Sequence, residues 1–161
     1  MQSWIREWAS QQQFITKRIT FTTTSIDDIH NIVNYNFPLL NLYSEAIERT
    51  TKNGFSMKLH RDDYHIDYYQ FKKGIRDPSI LWIPIYKKEK RPIITVLWYR
   101  STQGIDFNGG NLKFFDGEMK RPLKDNAILF DSNDPHEVTT QTTRNDLKNE
   151  RSVVIIKYYS V

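Results

Sequence analysis

Apolar positions change their spacing about a third of the way along the chain. Up to residue 53 they recur mainly at three- and four-residue intervals. Trp4, Ile5 and Trp8 lead into the stretch 11–15. Ser25, Asp27 and Asp28 precede Ile29, Ile32 and Val33 and suit a helix N-terminus. Leu39, Leu42, Tyr43, Ala46 and Ile47 then repeat at i, i+3, i+4, i+7 and i+8. Pro38 separates this stripe from the one before it, and Asn53-Gly54 closes it. The spacing predicts helices through the first third. From Phe55 onward the apolar runs are short or alternating, and they predict strands over 55–59, 64–71, 80–86, 93–99, 111–115, 127–130 and 153–159. Lys73-Gly74, Asp77-Pro78, Asn108-Gly109-Gly110, Asp116-Gly117 and the segment 133–135 mark turns between them.

Many short strands after a helical lead predict a mainly β chain, a jelly roll (double-stranded β-helix) backed by N-terminal helices. The 161 residues suffice for one domain, with 1–53 as helical support and 54–161 as the jelly-roll core. Hydrophobic residues at 39% and aromatics at 14% argue against intrinsic disorder. The formal charge of +4 and a pI near 9.2 permit contact with nucleic acid without requiring it. With no cysteine, a metal site must be built from histidine and carboxylate. No run approaches the length of a membrane span, and Arg6 and Glu7 interrupt the first residues where a signal peptide needs an apolar stretch, so an intracellular, cytoplasmic protein is expected.

Only His30, His60, His65 and His136 are available as imidazole ligands. His60-Arg61-Asp62 followed much later by His136 offers two imidazoles and one carboxylate that can meet across a sheet. Such a triad suits non-haem Fe(II), because it occupies one face of an octahedral ion and leaves three positions open. His65-Ile66-Asp67 repeats the pattern five residues on. Five is odd, so a continuous strand would send His60 and His65 to opposite faces, and only one pair is expected to be used. Asp63 is expected to be an outer residue, and His30, inside a helical pattern, an ordinary structural histidine.

The order of motifs then becomes informative: His60-x-Asp62, a strand ending in Tyr99, the turn Gly109-Gly110-Asn111-Leu112-Lys113-Phe114, a strand delivering His136, and Arg151 opening a final strand. In this order the chain resembles the Fe(II)/2-oxoglutarate-dependent dioxygenases, in particular their prolyl-hydroxylase-like branch, over roughly residues 54–159. The resemblance implies His60, Asp62 and His136 as iron ligands and Arg151 as the partner of the distal carboxylate of 2-oxoglutarate, for which a planar guanidinium fork is well shaped. It implies Tyr99 as a second contact to that carboxylate, although an inward-packed aromatic fits equally. Thr95 shares the strand face with Tyr99 and is a further lining candidate. Fe(II), with 2-oxoglutarate and O2 as cosubstrates, would be the cofactor set. His136 and Arg151 lie fifteen residues apart where about ten are usual in the family, so Arg144 competes for the anion role; Met57 also stands where a Tyr is common.

The resemblance implies hydroxylation of an unactivated C–H bond, with a prolyl or other amino-acid side chain of a peptide or protein as the first expectation. An oxidative nucleic-acid demethylase, favoured by Lys87, Lys88, Lys90 and Arg91, and a noncatalytic jelly-roll binding protein are the alternatives. Nothing in the sequence specifies oligomeric state.

Overall fold

The computed structural model describes residues 18–62 and 91–161. The expected helix over 4–15, the expected strands over 64–71 and 80–86, the His65/Asp67 pair, Asp63 and the lysines of 87–90 lie outside the described residues.

The chain begins with β1 (Ile19–Thr22), followed by α1 (Ile26–Asn36). Ser25 caps α1 by accepting from the Asp27 amide at 3.2 Å. Asp27 and Asp28 sit in the first turn, where they oppose the positive end of the helix dipole. The helix stops before Phe37-Pro38, as the restriction on a residue preceding proline favours. Ile29 and Val33, one turn apart, are fully buried.

Next come β2 (Leu42–Thr51), β3 (Met57–His60), β4 (Ile94–Tyr99), β5 (Asn108–Gly109) and β6 (Leu112–Phe114). They are followed by β7 (Met119–Lys120), β8 (Asn126–Asp131), β9 (His136–Val138), β10 (Gln141–Thr142) and β11 (Arg151–Ser160). A five-stranded sheet has the order β1-β8-β4-β11-β2, a four-stranded sheet the order β3-β9-β6-β7, and β10-β5 forms a short pair; all ladders are antiparallel.

These elements form three layers. One face of the large sheet (Ile94, Val96, Trp98, Ala127, Leu129, Ile156, Tyr158) packs on Ile29 and Val33 of α1. The opposite face (Leu97, Tyr99, Ile128, Phe130, Val153) packs on Leu112 and Phe114 of the smaller sheet. Lying between both, β4 is buried at all six positions, which explains its unbroken apolar run around Thr95.

Two expectations are corrected. Residues 39–51 do not continue as helix: β2 is a strand whose ten residues all pair with β11. Its apolar residues share no buried face, since Leu42 packs with α1's cluster while Ile47 is 63% exposed and Leu39 lies outside the strand, 96% exposed. Pairing with a long neighbour satisfies ten backbone positions and outweighs a helical stripe with nothing to bury against. The segment 19–22 is likewise a strand, so among the described residues α1 is the only helix. The second correction concerns closure: the two larger sheets face one another, but no strand pairing joins them into a closed barrel among the described residues. No helix of the described residues is long and apolar enough to cross a membrane.

Candidate active site

The inner side of the small sheet brings His60, Asp62 and His136 together. His60 closes β3 and His136 opens β9, and the two are directly paired across the ladder, beside an irregularity in the β3–β9 register. Their rings lie 4.4 Å apart between centroids. The carboxylate of Asp62 stands between them, with Oδ1 3.4 Å from Nε2 of each histidine. One ligand atom from each residue falls within 4.8 Å of the others, a spacing that can hold a metal ion.

Each histidine is held in the tautomer a metal requires. His60 Nδ1 donates to the Lys58 carbonyl at 2.7 Å, and His136 Nδ1 donates to the Asp134 carbonyl at 2.8 Å. A carbonyl only accepts, so both Nδ1 atoms carry hydrogen and both Nε2 lone pairs face Asp62 in the neutral rings. Phe130 and Phe114 flank the His136 ring at 4.8 and 6.1 Å.

Asp62 is fixed from the other side. Its amide donates to the Ser132 carbonyl at 2.8 Å, and its Oδ2 accepts from the Thr95 hydroxyl at 2.8 Å. Thr95, having given its hydrogen to Asp62, accepts from Ser132 Oγ at 2.9 Å. Oδ2 is thereby occupied while Oδ1 remains turned to the histidines. Thr95 thus touches Asp62 of the triad and is not among the residues lining the adjoining cavity. Thr95→Val, nearly isosteric, strips both bonds and leaves Ser132 Oγ and Asp62 Oδ2 underpaired in a buried place. A loss of about 1–3 kcal/mol of stability is expected, read by urea unfolding of the metal-free protein; an unchanged midpoint would show that the chain of hydroxyls carries no weight.

Burial alone would raise the Asp62 carboxyl, yet His136 and His60 beside it hold it well below the usual carboxylate range. Burial alone would lower the His136 imidazolium, yet Asp62 raises it above the usual histidine value. Each favours the charged form of the other.

A cavity of about 110 Å³ adjoins the triad, lined by His60, Asp62, His136, Met57, Leu97, Val153, Ile155, Arg151, Arg49 and Lys157 among others. Arg151, the first residue of β11, is 3% exposed. Its Nε donates to the Gly110 carbonyl at 3.1 Å, and among the described residues no carboxylate pairs with it. Burial pushes the guanidinium below its ordinary value, and the neighbouring charge of Arg49 pushes the same way. The phenol of Tyr99, also buried, has no hydrogen-bond partner among the described residues; its ring centroid is 5.7 Å from Arg151 Cζ, and burial drives it up to about 12 against the pull of that charge.

The two consecutive glycines shape this end of the cavity. Both have positive φ, +69° at Gly109 and +68° at Gly110. A Cβ at Gly109 would stand 2.1 Å from the Thr140 carbonyl oxygen, and one at Gly110 would stand 2.9 Å from Arg151 Cδ and 3.1 Å from its Nε. The glycine pair therefore lets β5 approach β10 and lets the Arg151 side chain lie along the turn.

Arg144 stands elsewhere, in an exposed pair with Asp146 at 2.8 Å. His30 is also remote from the triad, its Nδ1 2.7 Å from the Tyr158 hydroxyl. Sequence reasoning missed Ser132, Asp134 and Arg49. Ser132 and Asp134 carried a usable signal, lying between a predicted strand and His136; Arg49 carried none, because its segment reads as helix.

An antiparallel double sheet thus carries on its inner side a two-histidine, one-carboxylate cluster that can hold a metal ion, next to a buried arginine with no carboxylate partner among the described residues. The sequence matches the 2OG-Fe(II) oxygenase superfamily over residues 46–159, and the chain belongs to that superfamily. No curated protein matches it as a relative. Among solved structures it is similar to a viral collagen prolyl hydroxylase from Paramecium bursaria Chlorella virus-1, at TM-score 0.59 and 12% identity, covering 99% of this chain and 89% of that one. It is similar to a Pseudomonas putida prolyl-4-hydroxylase at TM-score 0.53 and 20% identity, covering 84% of this chain and 63% of the other. For a prolyl 4-hydroxylase of Phytophthora capsici the values are 0.54, 14%, 99% and 53%. These likenesses are of fold, and the chain spans less than two thirds of the Pseudomonas and Phytophthora proteins.

Proposed function

We propose that this chain is an Fe(II)- and 2-oxoglutarate-dependent hydroxylase acting on an unactivated C–H bond of an amino-acid side chain, proline first, in a peptide or protein. The observation that carries the reading is the buried Arg151 guanidinium, without a carboxylate partner among the described residues, in the same cavity as the His60/Asp62/His136 cluster. A buried cation is costly unless an anion meets it. A dicarboxylate suits the cavity electrostatically: Arg151, Arg49 and Lys157 line it, and Asp62 is the one carboxylate among its lining residues.

The residues present fit the group. His60 and His136 would ligate through Nε2 and Asp62 through Oδ1, the atoms their hydrogen bonds leave available. Arg151 would bind the distal carboxylate of 2-oxoglutarate, and the unpartnered Tyr99 hydroxyl would donate to the same group. Thr95 belongs to this machinery as the residue that orients Asp62. The bound iron, 2-oxoglutarate and O2 supply oxidative decarboxylation to succinate and CO2, coupled to hydroxylation. Leu97, Val153 and Ile155 wall the cavity with apolar surface that excludes water from the reacting centre.

A peptide substrate is supported by a trough of about 540 Å³ that shares Arg49, Ile155 and Lys157 with the cavity and runs on past Ile47 and Tyr159. It runs along the β2–β11 ladder, and β2 is an edge strand of the large sheet among the described residues, beside which an extended chain can lie. The names of the similar solved proteins add proline to the expectation.

The test is Fe(II)-dependent succinate formation under O2 with a panel of proline-containing and other peptides, alongside methylated oligonucleotides. Peptide-stimulated succinate supports the reading, and stimulation by oligonucleotides alone moves the substrate to nucleic acid. No iron binding and no succinate above a His136→Ala control would leave a noncatalytic binding protein.

Metal affinity should also depend on pH in a definite direction. In the metal-free protein the raised His136 contributes stability that is full below its unfolded-state pKa and fades as pH rises through its higher folded-state value. The lowered Asp62 contributes stability above its unfolded-state pKa that fades as pH falls through its lower folded-state value. A metal must displace the His136 proton, so the melting-temperature gain on adding Co(II) is expected to grow from about pH 6 to about pH 8. A gain independent of pH would place the metal on other ligands.

A further inference from the structure

Arg18, just before β1, is far in sequence from every triad residue, yet its side chain joins three parts of the site's support. Nε and Nη2 donate to the two carboxylate oxygens of Asp134 at 2.8 and 2.9 Å, a bidentate pair. Nη1 donates to Asp116 at 3.0 and 2.8 Å and to Glu118 at 2.8 Å, both in the turn between β6 and β7. The guanidinium lies over Phe114, with Cζ 3.7 Å from the ring centroid, and Phe114 is the cross-strand partner of His136. The Arg18 side chain is 11% exposed and that of Asp134 5%.

Asp134 connects this cluster to the metal centre. Its side chain is held by Arg18, while its backbone carbonyl accepts the Nδ1 hydrogen of His136 at 2.8 Å. The turn carrying it is further tied by Asp134 N to the Asp131 carbonyl at 2.9 Å and by Phe115 N to the Pro135 carbonyl at 3.1 Å. A guanidinium that grips the Asp134 carboxylate therefore fixes the peptide whose carbonyl sets the His136 ring.

We propose that Arg18 is a positioning residue for His136, acting through Asp134 to hold Nε2 in the orientation needed for metal binding. The inference rests on the reading of His60, Asp62 and His136 as metal ligands. Its cause is mechanical: lose either half of the ion pair and the Asp134 peptide is freer to rotate, carrying the imidazole with it. Arg18→Lys keeps the charge but cannot reproduce the bidentate grip while also reaching Asp116 and Glu118.

The test uses the full chain loaded with Co(II), measuring affinity by titration and ligand geometry by the visible absorption bands. Arg18→Gln, Arg18→Lys, Asp134→Ala and the double variant Arg18→Gln/Asp134→Ala are compared with Ile29→Val, which loosens the core on the helix side of the sheet. Arg18→Gln and Asp134→Ala are each expected to weaken Co(II) binding by about 10–100-fold and alter the absorption bands, with Arg18→Lys intermediate. The double variant should be no weaker than the weaker single one, since both act through one contact. Ile29→Val should lower the melting temperature and leave affinity and bands unchanged. Wild-type affinity and bands in both Arg18→Gln and Asp134→Ala would overturn the positioning role, and additive losses in the double variant would overturn the route through Asp134. Should Arg18→Gln not fold, Asp134→Ala, which leaves Arg18 its Asp116 and Glu118 partners, decides alone. Failure of the wild type to bind Co(II) would instead overturn the metal site on which the inference rests.

Discussion

Arg151→Met is expected to weaken 2-oxoglutarate use strongly, through KM, and to make the metal-free protein more stable. Arg151 is 3% exposed and faces no carboxylate among the described residues, so the metal-free fold carries the cost of a buried charge. Methionine fills similar space without that charge. Comparable replacements of buried charges have added about 1–4 kcal/mol, and loss of the Gly110 hydrogen bond offsets part of the gain, so a net increase of about 1 kcal/mol is expected. Binding suffers the opposite fate, because a buried charge-assisted pair is worth about 2–5 kcal/mol when one partner is truncated; KM for 2-oxoglutarate should rise by about thirtyfold or more. Gly110→Ala should move KM the same way by crowding Arg151, at a cost in stability from its φ of +68°. Calorimetry and initial rates on the same preparations decide the matter. A lower melting temperature with unchanged KM would make Arg151 a structural residue and return the anion role to Arg144.

His136→Ala should remove metal binding altogether. The outer partners of a metal ligand are worth about 10–100-fold, so loss of one of three ligands should exceed that, costing at least about a thousandfold in turnover. Arg144→Ala, which disturbs only an exposed pair, should leave turnover at the wild-type level, as should His65→Ala if the first His-x-Asp pair is the one used. Metal titration on each variant checks this. Retained affinity in His136→Ala together with loss in His65→Ala would shift the centre to the second pair.

The parts of the site legible in the sequence were those fixed by strong local rules. The parity argument kept Thr95 and Tyr99 on one face of β4, and the structure has them there, with Leu97 between them. Ser25, Asp27 and Asp28 announced α1, and the cap is made by Ser25 as its chemistry allows. What could not be read is whatever depends on a distant partner. The stripe Leu39–Leu42–Tyr43–Ala46–Ile47 satisfies a helical period, but β11 claims the segment as a strand, and nothing local to residues 39–51 announces that neighbour. Thr95 was legible as an inward residue and not as a tether for Asp62, because the contact spans 33 residues. Arg18 is the extreme case, a lone basic residue before a short apolar run whose partners lie about a hundred positions away.

β11 bonds to β2 on one side and β4 on the other, and Arg151, which opens it, is 100 residues from the Thr51 with which it pairs. Such pairings close very large loops before they return any contact energy, which slows folding. Until β11 inserts, β4 and β2 are without their shared neighbour, the Leu97/Tyr99 face lacks Val153, and the cavity lacks Arg151. Folding of this molecule should therefore be slow for its size, with an early species that exposes the edge of β4 and associates at high concentration. The strand that brings Arg151 to the cavity is also the one whose insertion is expected to govern how safely the chain reaches its native state.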